Sequence, residues 1–299
     1  MSQNKILVIG SSNTDLVIKT SCFPRPGETI LGGDFFMNQG GKGANQAVTI
    51  ARLMGDVDFI CKTGDDLFRV KALKLFRKEG VDTKWILIDK ENPSGLALIM
   101  VDNKGENSIV VAPGANANLT SKDIDTAIEA VDGSDYILMQ LEIPIDTVEH
   151  VVNLGFQKQK KIILNPAPAT RLPDHLIRKL HLITPNRIEA EYISGIKITD
   201  TANLKKAARV IFAKGVGSVV ITLGVEGVLI YDGQFEMISA ESTEPVDTTG
   251  AGDVFNGALS VALSEGLSLR DAVRFANKAA AFSIKRYGAI PSIPRRHEL

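Results

Sequence analysis

The stretch that decides the fold class reads YILMQLEIPIDTVEHVVNLGFQKQKKIIL and covers residues 136–164. It opens with a short apolar run at 136–139, which has the length and composition of a buried strand. Apolar residues then recur at helical spacing over 145–154, and a second strand-like run follows at 161–164. A strand, a helix and a strand in this order predict a parallel βαβ unit.

The alternation continues on both sides of this stretch. A helix near Asp174 and a strand at 182–184 come next, and residues 5–10 form an earlier apolar run that ends in glycine. Three later strands are predicted, the last of them at an antiparallel edge: 218–222, 228–231 and 235–239. The sequence therefore predicts an α/β fold with a doubly wound, mostly parallel central sheet flanked by helices.

The composition fits one α/β domain over residues 1–299, because 44% hydrophobic residues can fill a large core. A net charge of −1 offers no basic surface for a nucleic acid. The chain starts with polar residues, and the apolar run at 6–9 is too short for a signal peptide or a membrane span. We therefore expect a cytoplasmic protein without nucleic-acid or membrane partners. Cys22 and Cys61 are too few for a disulfide framework or a zinc site.

Two β-rich intervals interrupt the alternation. Residues 29–37 alternate in polarity, and runs at 96–101 and 107–111 flank a turn at 103–105 that is typical of a hairpin. Segments of about 13–38 and 95–112 are predicted to pair as a small β-sheet lid. A predicted polar turn, Ser11-Ser12-Asn13-Thr14-Asp15, leads into the lid segment. Its Asn13 and Asp15 side chains either contact a ligand at the strand end or make local hydrogen bonds.

Two glycine-rich turns each precede an amphipathic helix: Gln39-Gly40-Gly41-Lys42-Gly43-Ala44-Asn45-Gln46 and Asp247-Thr248-Thr249-Gly250-Ala251-Gly252-Asp253. The first is not a Walker A loop, because Gly43 follows Lys42 where Ser or Thr is required. Neither has the third glycine of the dinucleotide fingerprint, which disfavours a nicotinamide dehydrogenase.

The second turn has the features of a phosphoryl-transfer site. Its glycines precede the unpaired N–H groups of a helix start, so they predict an anion hole. Asp253 in the first helical turn either stabilises the helix dipole alone or takes a proton from an attacking hydroxyl. Because a phosphate in the anion hole would lie beside this carboxylate, we interpret Asp253 as the general base of a kinase.

Polar residues follow three successive predicted strands, at the end where ligands bind in open α/β sheets. They are Gln140 and Glu142, then Asn165, then Asn186 with Glu189. Any one of them could form a cap or a turn, but their common position favours a shared crevice. Asn277, a polar residue among alanines, either faces solvent or contacts a ligand.

Six blocks in chain order resemble the ribokinase family of sugar and nucleoside kinases, and the match spans essentially the whole chain. They are the segment at 13–15, the two glycine-rich turns, Met139-Gln140-Leu141-Glu142, Asn165-Pro166-Ala167-Pro168-Ala169, and Thr184-Pro185-Asn186 with Glu189. The resemblance, which is strongest to the kinases of D-ribose, implies ATP-dependent phosphorylation of the sugar at its 5-hydroxyl. Two alternatives remain open: a sister kinase of deoxyribose, a ketose or a nucleoside, and a non-catalytic sensor on the same scaffold.

The resemblance also implies a role for each matching position. Asp253 would deprotonate the hydroxyl, and the backbone of Gly250, Ala251 and Gly252 would form the anion hole. The sugar would be held by Asn13, Thr14, Asp15, Gly41, Lys42, Gly43, Ala44, Asn45, Glu142 and Asp253. ATP would be bound by Asn186, Thr222, Leu223, Gly224, Val225, Glu226, Gly227, Gly252, Asp253 and Asn277.

Two metal ions and a partner are implied in the same way. Mg²⁺ with its waters would lie near Asn186 and Glu189. An activating K⁺ would be held, largely through backbone carbonyls, by a loop set: Asp247, Thr249, Ser283, Arg286, Gly288 and Ser292. The lid would form a homodimer. Arg187 replaces the Glu that is usual in the family, and it either touches a phosphate or faces solvent.

Overall fold

Alternate side chains of the first strand, β1 (Ile6–Ile9), enter two different cores. In this computed structural model, which describes residues 4–299, Ile6 and Val8 belong to one buried cluster, and Leu7 and Ile9 belong to another. All four side chains are fully buried. Because successive side chains of a strand point to opposite faces of its sheet, β1 lies within a sheet that is covered on both faces.

Strands and helices alternate along most of the described chain. The further strands are β2 (Asn13–Lys19), β3 (Phe35–Gly40), β4 (Val57–Gly64), β5 (Ile86–Asp89), β6 (Gly95–Val101), β7 (Asn107–Ala112), β8 (Tyr136–Met139), β9 (Lys161–Leu164), β10 (Leu182–Ile183), β11 (Ser218–Thr222), β12 (Val228–Tyr231) and β13 (Phe235–Ile238). The helices are α1 (Lys42–Arg52), α2 (Leu67–Glu79), α3 (Ser121–Thr126), α4 (Ile128–Asp132), α5 (Ile145–Gln157), α6 (Asp174–Ile177), α7 (Arg187–Ser194), α8 (Thr201–Ala213), α9 (Ala251–Ser264), α10 (Leu269–Ser283) and α11 (Ala289–Ser292). Short 3₁₀ helices lie at Gly114–Asn118, Gly224–Glu226 and Arg296–Glu298.

The larger sheet has the strand order β13-β12-β11-β10-β9-β8-β1-β4-β5. Every neighbouring pair from β11 to β5 is parallel, and β12 and β13 add an antiparallel edge. The predicted doubly wound, mostly parallel sheet and its antiparallel edge are confirmed. The strands β4 and β5, which the sequence analysis does not assign, extend the sheet beyond β1.

Helices cover both faces of this sheet. One core contains buried side chains of α1, α2, α9 and α10, and the other contains those of α3 to α8. The direction of winding changes at β1, because β4 and β5 lie on one side of it and β8 to β11 lie on the other. Ligands of open α/β sheets bind at the carboxyl ends of the strands at such a switch point, here those of β1 and β8.

A second sheet has the strand order β3-β2-β6-β7 and follows directly from the end of β1. The predicted pairing of the two β-rich intervals and the predicted hairpin are confirmed, since β2 pairs with β6, and β6 pairs antiparallel with β7.

Two details of the prediction for this sheet are wrong. Asn13-Thr14-Asp15 does not form a turn but begins β2, because it pairs with β3 on one side and β6 on the other. Residues 29–34 are not in a strand, and β3 begins only at Phe35. Gly32 and Gly33 fall in this interval, and glycine has no side chain to pack on a pleated surface.

None of the helices in the described part of the chain is long and apolar enough to cross a membrane. The expectation of a cytoplasmic location was based in part on the polar residues at the start of the chain. Of these, residues 1–3 lie outside the described range.

Candidate active site

The glycine-rich turn before α1 lies unusually close to the end of β1. Gly41 has a φ of 90°, a conformation that L side chains rarely adopt. A Cβ on Gly43 would lie 2.7 Å from backbone atoms of Gly10 and Ser11. The turn therefore requires glycine, and the close approach brings the start of α1 against the segment that follows β1.

Glu142 joins this turn to the end of β8. Its Oε2 atom accepts hydrogen bonds from Ser11 Oγ at 2.5 Å and from the backbone N–H of Lys42 at 3.1 Å. The carboxyl ends of β1 and β8 are thus linked at the switch point of the sheet, where a ligand is expected.

Asn116 fixes the orientation of Asn13. The Asn116 Oδ1 atom accepts from Ser12 N at 2.9 Å, and its Nδ2 atom donates to Asn13 Oδ1 at 2.7 Å. Because the side-chain oxygen of Asn13 is occupied, its amide nitrogen remains available as a donor to a ligand.

Asp253 is buried in the first turn of α9, which begins after Gly250 with a φ of 77°. Its Oδ2 atom accepts from Asn45 Nδ2 at 2.8 Å, and its Oδ1 atom accepts from Gln46 Nε2 at 3.0 Å. Both donors are consecutive residues of α1. Helix α1 therefore holds this carboxylate of α9 by both oxygens.

Several acidic groups surround one lysine. Burial raises the pKa of Asp253, whereas Lys42, Asn45 and Gln46 oppose the rise. The carboxylate of Asp253 in turn raises the pKa of Lys42, despite the burial of that lysine. Burial, together with Glu142 and Asp253, raises the pKa of Asp15 to about 6. The site therefore carries more negative than positive charge.

The start of α9 offers open backbone donors. Ala251 N donates to Thr248 O at 3.2 Å, whereas the N–H groups of Gly250 and Gly252 make no hydrogen bond within residues 4–299. A Cβ on Gly252 would meet no heavy atom within 4 Å, so the space next to it is open. This arrangement fits an anion at the helix start, bound chiefly by the two glycine N–H groups.

A cavity of about 220 Å³ connects these parts. It is lined by Lys42, Asn165, Ala167, Thr184, Asn186, Glu189, Thr222, Thr248, Gly250, Ala251, Gly252, Asp253 and Asn256. The cavity thus brings together residues predicted to bind the sugar, the phosphates and the nucleotide.

Asn186 and Glu189 form a reciprocal cap at the start of α7. The backbone N–H and Nδ2 of Asn186 donate to the two carboxylate oxygens of Glu189 at 2.8 and 2.9 Å. Burial raises the pKa of Glu189 to about 7, and Asp253 adds to the rise while Asn186 and Lys42 oppose it. A cation beside the carboxylates of Glu189 and Asp253 would relieve their repulsion, which fits the predicted position of Mg²⁺.

Of the predicted nucleotide-binding residues at 222–227 and at Asn277, only Thr222 lines the cavity. Thr222 ends β11, Val225 in the following 3₁₀ helix is 89% exposed, and the side chain of Leu223 is buried in the core. Asn277 is half-buried and donates to Ser239 O at 2.8 Å. Its side chain is therefore engaged outside the cavity lining.

Arg187 contacts Glu226 and the carbonyl of Ile198. Its Nη2 atom pairs with Glu226 Oε1, and its Nη1 atom donates to Ile198 O at 3.3 Å. Glu226 thus neutralises the charge of Arg187, and contact of this side chain with a phosphate stays a prediction.

The residues predicted to hold K⁺ come from two chain segments that are tied together. Asp247 accepts from Gly288 N at 2.8 Å and from Thr249 N at 2.9 Å, and its own backbone N–H donates to Ile284 O at 3.1 Å. Each side-chain oxygen of Asp247 thus accepts one hydrogen bond, and these bonds join the two segments. The described residues contain no cluster of three or more His, Cys, Asp or Glu side chains that could hold a metal ion.

The remaining predicted loop residues lie next to this junction. Ser283 ends α10, Ser292 ends α11, and both hydroxyls donate to backbone carbonyls within their own helices. Arg286 pairs with Glu298.

Three buried side chains of the site were missed by sequence reasoning. They are Gln46, which binds Asp253, Asn116, which binds Asn13, and Asn256, which donates to Gly252 O at 2.8 Å. Gln46 and Asn256 occupy positions on the buried faces of α1 and α9. An amide on an otherwise apolar helix face was the signal that could have found these two.

The sequence motifs, the sheet order and the cavity define a class of enzyme. Residues 3–296 match the pfkB family carbohydrate kinase, and the chain belongs to this family. It is 41% identical over 294 residues to the ribokinase of Haemophilus influenzae, with 98% of this chain and 96% of that protein covered. It is 34% identical over 291 residues to the deoxyribokinase of Salmonella typhi, with 97% and 95% covered.

A solved structure gives the same result. Arabidopsis thaliana ribokinase complexed with ribose and ATP is 30% identical to this chain and matches it with a TM-score of 0.93, covering 99% of this chain and 97% of that one. The resemblance expected from the six blocks is confirmed, and the protein is a carbohydrate kinase.

Proposed function

We propose that this protein transfers the γ-phosphoryl group of ATP to the 5-hydroxyl of D-ribose, which gives ribose 5-phosphate and ADP. The observation that carries the proposal is the buried Asp253 carboxylate beside the open N–H groups of Gly250 and Gly252, in one cavity with Lys42. The similarity to ribokinases of two organisms supports ribose as the sugar.

The residues suggest a direct in-line transfer. Asp253 accepts the proton of the sugar hydroxyl as the hydroxyl oxygen attacks the γ-phosphorus, and the bond to the β-phosphate oxygen breaks. The N–H groups of Gly250 and Gly252 stabilise the charge on the transferring group, and Lys42 adds a positive charge nearby. Asp15, Asn13, Asn45 and the other sugar-site residues orient the acceptor.

Two ions complete the proposal. Mg²⁺ bound to the nucleotide phosphates would neutralise their charge, and the pair of Asn186 and Glu189 would hold its waters. K⁺ would bind to carbonyls of the linked loops around Asp247 and Gly288, and would thereby set the shape of the turn that leads into Gly250. Equal turnover in sodium, potassium and cation-free buffer would count against the K⁺ site.

The second sheet is proposed to act as a lid and as the contact of a homodimer. It places Asn13 and Asp15 at the sugar site, and its exposed apolar side chains include Leu98 and Val110, which pair across β6 and β7 on one face and are 51% and 65% exposed. Exposed apolar patches of this kind are typical of subunit contacts. Substitution of both Leu98 and Val110 by Asp should give monomers in light scattering. A cytoplasmic location also remains a prediction, which cell fractionation checks.

The test of the base is Asp253→Asn. The amide cannot accept the proton, so turnover should fall about 10²- to 10⁴-fold while sugar binding persists. The matched control is Ser260→Ala, which removes a buried hydroxyl two turns further along the same helix. Near-normal turnover of Asp253→Asn would rule out this base.

The test of the substrate is a sugar panel with ATP. Ribose, 2-deoxyribose, a ketose and a nucleoside should be compared by kcat/KM, because the similarity to a deoxyribokinase keeps the nearest alternative open. A higher kcat/KM for 2-deoxyribose than for ribose would replace the proposed substrate. Binding of the sugar without any ATP consumption would favour the sensor.

A further inference from the structure

Behind Asp253 lies a chain of three buried amide side chains that come from three separate elements. Gln46 is on α1, Gln140 follows β8, and Asn165 follows β9. Gln46 Nε2 lies 3.0 Å from Asp253 Oδ1 and 3.2 Å from Asn165 Oδ1, and Gln140 Nε2 lies 2.6 Å from Gln46 Oε1. Gln46 therefore touches Asp253 and both other amides.

The direction of the Gln46 amide is fixed at both ends. An ionised carboxylate only accepts hydrogen bonds, so the side chain must present its nitrogen to Asp253. Its oxygen then faces Gln140, which must donate. If the Gln46 amide were rotated by about 180°, its oxygen would face the Asp253 carboxylate and its NH₂ group would face the NH₂ group of Gln140. Asp253 thus sets the direction of the Gln46 amide, and Gln140 anchors it by donating to Gln46 Oε1.

Gln140 has one buried polar atom that forms no hydrogen bond within the described chain. Gln140 is fully buried, and its Oε1 atom has no hydrogen-bond partner in the described range 4–299. A Cβ at Gly10 would lie 2.0 Å from the same oxygen, so the residue that follows β1 makes room for this side chain. A buried acceptor without a partner destabilises a fold, and such groups tend to persist where they serve function.

We propose that Gln46, anchored by Gln140, is a positioning residue for the base. This inference rests on the proposed function, in which Asp253 deprotonates the sugar. Asn45 holds Oδ2 of the carboxylate and Gln46 holds Oδ1, so its plane is set by α1, the helix that also carries Lys42 of the sugar site. Sugar position and base orientation are thereby linked through one rigid element.

The same contact stabilises the ionised base. Gln46 and Asn45 donate to the charged form of Asp253, which opposes the effect of burial. The charged groups that face the base are Lys42 on α1, which also favours ionisation, and three acids that oppose it: Asp15 on β2, Glu142 after β8 and Glu189 on α7. Loss of the Gln46 donor should leave the base harder to ionise.

The experiment compares Gln46→Met and Gln140→Met with the unmodified kinase. Met has a similar volume to Gln but donates no hydrogen bond, so the packing is kept. Gln46→Met should lower kcat about 10- to 100-fold, the equivalent of one lost hydrogen bond to a charged group. The KM for ribose should change less than about threefold, because Gln46 is not expected to touch the sugar. The acid limb of the kcat–pH profile should move to higher pH, because the base then ionises at higher pH.

Gln140→Met keeps the Gln46 side chain and removes only its anchor. It should change kcat and the pH profile in the same direction as Gln46→Met, by a smaller factor. If Gln46→Met does not fold, Gln140→Met alone tests the inference. Ser260→Ala is the control for loss of a buried polar group on α9, and its kcat and pH profile should be unchanged.

The inference would be overturned if a folded Gln46→Met or Gln140→Met variant had a kcat within about twofold of the unmodified kinase and an unchanged acid limb of the kcat–pH profile. A fall in kcat that Ser260→Ala shares would also overturn it. The base itself is tested separately. If Asp253→Asn is inactive and Gln46→Met is normal, only the positioning role fails. If Asp253→Asn is active, the proposed base fails.

Discussion

Asp15 illustrates how a single residue of the sugar site lowers the stability of the fold. Burial and the charges of Glu142 and Asp253 raise its pKa from the ordinary value of 3.8 to about 6. A carboxyl group with a raised pKa in the folded state binds its proton more tightly there than in the unfolded chain. The ionised group therefore destabilises the fold above pH 6, and this penalty disappears below pH 4. A shift of about two units corresponds to at most about 3 kcal/mol.

Asp15→Asn is therefore expected to stabilise the protein at neutral pH. Its Tm at about pH 7.5 should rise by about 2 to 6 °C, and the difference from the unmodified protein should shrink toward about pH 4.5. Thermal melts at the two pH values measure the effect. Asp34→Asn, an exposed acid just before β3, is the control. If the Tm of Asp15→Asn at neutral pH were equal to or below that of the unmodified protein, the ionised Asp15 carboxylate would not be destabilising the fold.

The residues of the site differ in how far the sequence could reveal them. Asp253 and Lys42 lie in glycine-rich turns that precede helices, and Glu142 follows a recognisable strand, so a local pattern indicated each of them. Gln46 was missed because its role depends on Asp253, which is 207 residues away in the chain. Asn116 was missed for the same reason, since it acts through a contact with Asn13 across 103 residues.

A contact between remote segments also explains the error at residues 13–15. Asn13-Thr14-Asp15 has turn-forming composition, but β6, which begins at Gly95, supplies hydrogen bonds that make it a strand. The α9 and α10 helices and the hairpin of β6 and β7 were found because their apolar periodicity or turn sequence is contained within one segment. Pairing between remote segments leaves no such local signal.

Helix α1 joins two parts of the molecule. Its start carries the sugar-site residues, and its last residue, Arg52, donates to both oxygens of Glu79 at 2.9 Å. Arg52 also donates to the carbonyls of Ile290 and Ile293 at 2.7 and 2.9 Å. These two residues flank Ser292 of the proposed K⁺ loop, so α1 fixes that loop as well.

Arg52→Met should therefore affect both stability and the cation requirement. It leaves the buried Glu79 paired only with Arg295 at 3.3 Å, and loss of one partner of a buried pair destabilises by about 3 to 5 kcal/mol. The K⁺ concentration for half-maximal activity should rise, because two carbonyls of the loop segment lose their donor. Denaturant unfolding and a potassium titration of turnover measure the two effects.

The control for Arg52→Met is an exposed ion pair. Lys84 and Glu129 have side-chain exposures of 57% and 74%, so Lys84→Met should change stability by less than about 1 kcal/mol. The pH dependence gives a second check. The Arg52 guanidinium lowers the pKa of Glu79, so the pair stabilises the fold above about pH 4.5 and its contribution is lost as the pH falls. A destabilisation that does not decrease in acid would mean that the pair is not its source.

At the scale of the whole molecule, the sugar site brings together parts that meet only in the folded chain. The second sheet provides Asn13, α1 provides Lys42, the end of β8 provides Glu142, and α9 provides Asp253. A sugar that contacts all of these binds the folded state alone, so its binding free energy adds to the stability of the molecule. The structure of the site thus predicts a ligand-dependent thermal shift that needs no nucleotide.

Ribose at about 100 times its Kd should stabilise the protein by about 2.7 kcal/mol, which is a rise in Tm of about 4 to 5 °C for a chain of 299 residues. At equal concentration, 2-deoxyribose should give a smaller shift, because a missing hydroxyl leaves buried polar groups of the site without a partner. Asp15→Asn should lose most of the ribose shift, whereas Ser260→Ala should keep it. Differential scanning fluorimetry with both sugars and both variants measures all four values. Equal shifts would show that the site does not recognise the 2-hydroxyl, and a larger shift with 2-deoxyribose would identify that sugar as the better fit for this cavity.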